Sequence, residues 1–256
     1  LWAISPILQL HLPVAAFPPG GFQMSSIRSL KKLPGENVIS EICGLDWPGA
    51  NLEDMTAVAW AYYYFSIQFR ENLEIACELC PNDLNLRKLK SEECETSNLS
   101  PFPGVANSGE KLNHDEFMRR ALLLSPVSDE KHGNYAELGD KYLMEMRQLD
   151  PSLRAMSIVS YEDGGLESVF RAILTSPAYD TLLLNAFRHF MLEHIRFDSD
   201  PLQGHGALSR HIGVDDRVET IWAAFRQLFT EFAPGLLKPP VGSNEPNVLP
   251  FKRPAT

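Results

Sequence analysis

The 256-residue chain is poor in cysteine and in clustered basic residues, and it has no long apolar run. No stretch reaches the roughly 18 consecutive apolar residues of a membrane span, so no membrane partner is expected. Asp and Glu (33) outnumber Lys and Arg (23), for a formal net charge of −10. A nucleic-acid or anionic-lipid surface needs gathered cations, so no nucleic-acid partner is expected either. The four cysteines are Cys43, Cys77, Cys80 and Cys94. Cys77 and Cys80 have the spacing of a redox pair or half a zinc site. No second such pair follows, and no strand leads into them. They read as ordinary reduced thiols, which suits a cytoplasmic location. No repeat period is visible, nor any alternating apolar/polar run bounded by turns, so strands are not expected. The start, Leu1-Trp2-Ala3-Ile4-Ser5-Pro6, has no initiator Met and no basic region before an apolar core. It does not read as a signal peptide, and the expectation is a chain that begins further upstream.

What is present is ordinary for a globular protein: 44% hydrophobic and 22% charged residues, with enough length to bury a core without disulfides. Residues 1–50 hold Phe17-Pro18-Pro19-Gly20-Gly21 and Trp47-Pro48-Gly49, which read as an N-terminal wrapping arm with short helical pieces. Asn51-Leu52-Glu53-Asp54 looks like a helix start, since Asn can cap and acids suit the positive helix end. From Met55 to about Cys80, apolar residues recur at helical spacing (Val58, Tyr62, Phe65, Phe69, Leu73, Ala76). Further helices are expected at Leu84 to about Glu95, Asn113–Leu124, 135–148, 152–160, Leu166–Leu174, Ala178–Phe197 and Val218–Phe232. Pro239-Pro240 opens an extended tail. The expected architecture is all-α: a 1–50 arm, a 51–235 helical metal-binding domain of six to eight helices, and a 236–256 tail.

A metal site inside a helical bundle needs inward ligands from several helices, so carboxylates and histidines embedded in apolar helices are the candidates. His194 and Asp198 lie four apart on one helix face, with His205 seven residues beyond Asp198 between two glycines. The plainer reading is a simple hydrogen-bonded pair with a surface histidine. The apolar helix ahead of the pair favours a buried site, where an unpaired carboxylate is costly. Glu93, near one helix end, can meet His114 at the start of the next if the Pro/Gly-rich excursion between them turns back. Solvated acids and a helix cap would explain the same residues. Glu162 ends a helix that is apolar up to Val159. It could be an inward carboxylate or part of an acidic terminating turn.

Taken in order, Glu93, His114, Glu162, His194, Asp198 and His205 resemble the ligand set of the haem-oxygenase-like di-iron oxidases and oxygenases. These are non-haem enzymes built on the haem-oxygenase helical fold. The local run Tyr161-Glu162-Asp163…Phe170, and the run from His194 to Gly206, carry the likeness, which covers roughly residues 60–232. The resemblance implies a haem-oxygenase-like bundle, two iron ions held by those six residues, and O2 as co-substrate. It also implies an external electron donor and oxidation of a small organic substrate, an amino acid or amine before a fatty acid. Desaturation, C–C cleavage and N-oxygenation are all open, and a homodimer is compatible. Arg196, Arg188 or Arg210 could grip a substrate carboxylate, though the plainer reading of each is a surface arginine. Two departures stand out. The last histidine normally follows the aspartate within three or four residues, which leaves His211 as an alternative to His205. The Glu93–His114 gap is long, and Glu92 replaces Glu93 if the helix phase differs by one. Alternatives are a metal-free enzyme of the same fold (thiaminase-like or a cofactorless oxidase), a mononuclear metal enzyme, and a helical binding protein. Manganese would accept the same ligands as iron.

Overall fold

The side chain of Asn51 accepts hydrogen bonds from the backbone N–H groups of Glu53 (2.8 Å) and Asp54 (3.0 Å), and Asp54 accepts one back from the Asn51 N–H (3.1 Å). This reciprocal cap satisfies donors that would otherwise be orphaned at a helix start. It launches Leu52–Leu79, the 28-residue helix around which the protein is organised. The computed structural model describes residues 34–94, 101–198, 205–209 and 211–237, with Phe197 and Asp198 described by their backbone. The chain divides into two compact units, Leu1–Lys32 and Leu33–Thr256, and the described residues all belong to the second.

In chain order the α-helices are α1 (Glu36–Cys43), α2 (Leu52–Leu79), α3 (Leu84–Cys94), α4 (His114–Leu122) and α5 (Asp129–Arg147). They continue with α6 (Pro151–Ser160), α7 (Leu166–Ile173), α8 (Leu182–Asp198), α9 (His205–Ser209) and α10 (Val218–Phe232). The protein is all-helical among the described residues, where extended pairing is limited to one isolated bridge between Phe102 and Ala106. The short segments α1 and α9 take the number of helices past the six to eight expected. The first of these lies inside the stretch read as an arm, and it packs on α7 and α10.

Consecutive residues Ala57 to Tyr62 of α2 are all buried. A helix apolar all round has to sit inside a bundle, and α2 touches α3, α4, α5, α6, α8 and α10. Its buried polar residues are tied to α5 and α6. Arg154 donates to Asn72 Oδ1 (2.7 Å) and Glu71 Oε2 (3.1 Å), Asn72 donates to Ser157 Oγ (2.9 Å), and Tyr142 donates to Gln68 Oε1 (3.2 Å). Burial raises the pKa of Glu71, but the guanidinium groups of Arg147 and Arg154 outweigh that and hold it below its ordinary value.

Two helix starts differ from the expectation for identifiable reasons. The fifth helix begins at Asp129 rather than 135, because Ser128 caps the Lys131 N–H (3.3 Å) and Asp129 and Glu130 favour the first turn. The eighth begins at Leu182 rather than Ala178, because Thr181 Oγ1 accepts from the Leu184 N–H (3.2 Å). Asp180 is thereby left outside the helix. The four cysteines are free thiols. No helix among the described residues is long and apolar enough to cross a membrane.

Gly133 and Gly139, both within α5, provide a matched test of this packing. A Cβ on Gly139 would lie 2.3 Å from the Tyr64 ring, whereas one on Gly133 meets nothing within 4 Å. Gly133→Ala should stabilise by about 0.5–1 kcal/mol through helix propensity. Gly139→Ala should instead lose about 1–3 kcal/mol to overpacking. Thermal melts should therefore move in opposite directions; the same sign for both would show that Tyr64 is not seated against this helix.

Candidate metal centre

Glu93 is the penultimate residue of α3, on its inward face, and only 4% exposed. Its neighbour Glu92 is part exposed and sits at the edge of the cluster, with Oε1 3.6 Å from Lys88 Nζ and Oε2 3.8 Å from His205 Nε2, whereas Glu93 points fully inward. Asn113 caps α4 by accepting from the Glu116 N–H (3.0 Å), which fixes His114 as its first residue and turns it into the bundle. His194 comes from α8 and His205 from the start of α9, and both are buried.

Glu162 is placed by a break in helical geometry. The rod of α6 passes into α7 through a wide turn, Tyr161–Gly165, in which Asp163 (φ −83°, ψ 41°) and Gly164 (φ 95°) leave the helical region. Only glycine adopts such a positive φ without strain. Gly165 is needed for a different reason, since a Cβ there would come within 2.6 Å of the Trp222 ring and 2.4 Å of the Ser160 carbonyl. The acidic run read as ambiguous is thus an interruption that brings a buried carboxylate to the cluster.

Five of the six expected ligands converge. His114 Nδ1 lies 2.6 Å from Glu93 Oε2 and 3.1 Å from His194 Nε2. His205 Nδ1 lies 2.6 Å from Glu93 Oε1 and 3.3 Å from Glu162 Oε2. Two groups able to hold a metal ion result: Glu93 with His114 and His194, and Glu93 with Glu162 and His205. Glu93 belongs to both and offers one oxygen to each. Ions with bonds of about 2.0–2.2 Å set neighbouring ligand atoms about 3 Å apart, which is the range observed. The sixth expected ligand, Asp198, has its side chain outside the described residues. His211 is half-exposed and paired with Asp83 at the surface, so the histidine that joins this cluster is His205.

The donor chemistry fits a hard or borderline dication. Two carboxylates and three imidazoles supply oxygen and nitrogen, with a formal charge of −2 when the histidines are neutral. Burial works against ionisation of Glu93, but the imidazoles of His114 and His205 outweigh that cost and hold its carboxyl well below the usual range. His194 Nδ1 donates to the Phe190 carbonyl (2.8 Å), which leaves Nε2 with a lone pair facing the cluster. Metal-binding histidines are usually oriented in this way. No thiolate competes, because burial and the Glu93 charge push the adjacent Cys94 thiol up to about 12.

A cavity of ≈ 10 Å³ lies between these ligands and Tyr62, Ser66, Phe69 and Leu166. That is about the space of one water molecule. Of the three arginines expected to grip a substrate, Arg196 is 71% exposed and paired with Glu193 (2.8 Å). Arg188 is also exposed, over the Tyr179 ring at 5.8 Å, and Arg210 lies outside the described residues. Neither described arginine lines the cavity, and both side chains are exposed. Ser66 and Leu166 were missed as lining residues. The available signal was Ser66 midway between Tyr62 and Phe69, a small residue on one helix stripe. No protein-family description, curated protein or solved structure matches the chain.

Because Glu93 serves both groups, the isosteric Glu93→Gln should cost more than any other single change. Manganese at about 100 times its dissociation constant should stabilise the metal-free protein by about 2.7 kcal/mol. For a domain of this size that corresponds to a melting temperature about 5–10 °C higher. Glu93→Gln should remove the metal-dependent shift altogether, while Glu162→Gln should reduce it. A full shift in Glu93→Gln would rule out the shared-carboxylate arrangement.

Proposed function

We propose that this protein is a non-haem di-iron oxidase or oxygenase with a haem-oxygenase-like helical fold, oxidising a small organic molecule with O2. The observation that carries this reading is the single carboxylate, Glu93, shared between two groups of potential ligands drawn from five different segments of the bundle. Metal sites in helical bundles draw ligands from facing helices in the same manner. Iron, when bound, supplies the capacity to activate O2. The chain's own residues do the rest. Glu93 and Glu162 neutralise the cations, and Asp198 is the proposed sixth ligand. The Phe190 carbonyl holds the His194 ring in a ligating tautomer. Tyr62, Phe69 and Leu166 supply apolar lining beside the ligands. An amino acid or amine is the favoured substrate class, with an external donor returning electrons, and the cytoplasm is the proposed compartment.

One observation favours a second reading. Glu93, His114 and His194 by themselves form a two-histidine, one-carboxylate set, the ligand pattern of mononuclear non-haem iron enzymes. Anaerobic reconstitution with ferrous iron, followed by admission of O2, separates the two. About two irons per chain and a transient visible absorption on adding O2 are expected, and His194→Ala and Glu162→Ala should each lower the stoichiometry. One iron per chain, retained in Glu162→Ala, would favour the mononuclear enzyme. No tight iron binding would overturn both readings.

A further inference from the structure

A larger cavity, of ≈ 490 Å³, lies away from the buried cluster, between α2, the end of α4 and the start of α5. Its size is typical of small-molecule sites. Tyr62 faces the metal cluster, whereas Trp60, Tyr63 and Tyr64 on the same helix line this second cavity. Leu122 and Val127 add further apolar lining. Such walls suit a flat ring.

The polar lining of the cavity holds the donors Trp60, Tyr64 and Arg119 together with His132 and Asp129. Arg119 gives its Nε and Nη2 to Glu116 (2.6 and 2.8 Å), and no described residue takes its Nη1. Glu116 is shared with Arg120 as well (2.8 Å), so its one negative charge is divided between two guanidinium groups. The indole N–H of Trp60 is buried and has no hydrogen-bond acceptor among the described residues, a costly state for a buried donor. Burial pushes the Tyr64 phenol up to about 12, so it remains a neutral O–H donor. The carboxylate in the lining, Asp129, sits in the first turn of α5, where the helix N-terminus offsets its charge.

We propose that this cavity binds a flat aromatic carboxylic acid, with its ring against Trp60 and Tyr63 and its carboxylate taken by Arg119. A charge-assisted contact from the Arg119 Nη1 end supplies orientation, and the aromatic walls supply most of the buried area. The site is independent of the metal centre and needs no iron.

Isothermal titration of the metal-free protein with 2-naphthoate tests this, with 2-naphthylmethylamine as the cation of similar shape. One naphthoate should bind per chain, and the amine should bind about 10-fold more weakly or not at all. Arg119→Gln should weaken naphthoate binding by a similar factor. Leu123→Trp should obstruct the mouth without unfolding the protein, since Leu123 is 66% exposed. His194→Ala should leave naphthoate binding unchanged. The proposal is overturned if naphthoate fails to bind, if the amine binds as tightly, or if Arg119→Gln has no effect. Loss of binding in His194→Ala would overturn it too, by placing the ligand in the buried cluster.

Discussion

Burying two carboxylates close together inside a helical core is costly unless cations or protons answer them. Glu93 and Glu162 are each within hydrogen-bonding range of His205, and both lie under the bundle's aromatic residues. Much of the local architecture follows from that constraint. The Tyr161–Gly165 turn breaks a helix to deliver one carboxylate, the Asn113 cap aims one imidazole, and the Phe190 carbonyl sets the tautomer of another. Each of these devices gives up some regularity to make five polar side chains meet.

The central helix carries the complementary burden. Because α2 is enclosed on most sides, residues one apart on it serve different neighbours. Tyr62 reaches the cluster, Trp60 and Tyr63 wall the outer cavity, and Gln68 and Asn72 anchor α5 and α6. The Gln68–Asn72 side must stay polar, since Arg154 and Tyr142 are buried against it and need partners. One element thus holds the scaffold and furnishes two cavities.

Helix class and most helix positions were legible in the sequence because periodicity and caps are local signals. Asn51, the 3.6-residue spacing from Val58 to Ala76, and Pro151 after Asp150 act through neighbours in the chain. The start of α5 was not legible, since Gly133 and Gly139 weaken its pattern and the tolerance for Gly139 comes from Tyr64, distant in sequence. The order Glu93, His114, Glu162, His194, His205 could be read as a candidate cluster, but the sharing of Glu93 could not. Which oxygen faces which imidazole depends on the turn at Gly164 and on the path between α3 and α4. Charge and sequence proximity to His194 say nothing about which way an arginine side chain faces. Arg196 sits two residues from a buried histidine, yet points to solvent.

The ≈ 10 Å³ void beside the ligands also bears on rates. It has room beside the ligands for a diatomic gas or a single water, and not for an organic molecule. A larger molecule would need Tyr62, Phe69 or Leu166 to swing aside, and side-chain and loop motions of that sort span nanoseconds to milliseconds. The packing that makes the cluster compact therefore also governs the pace of exchange with it.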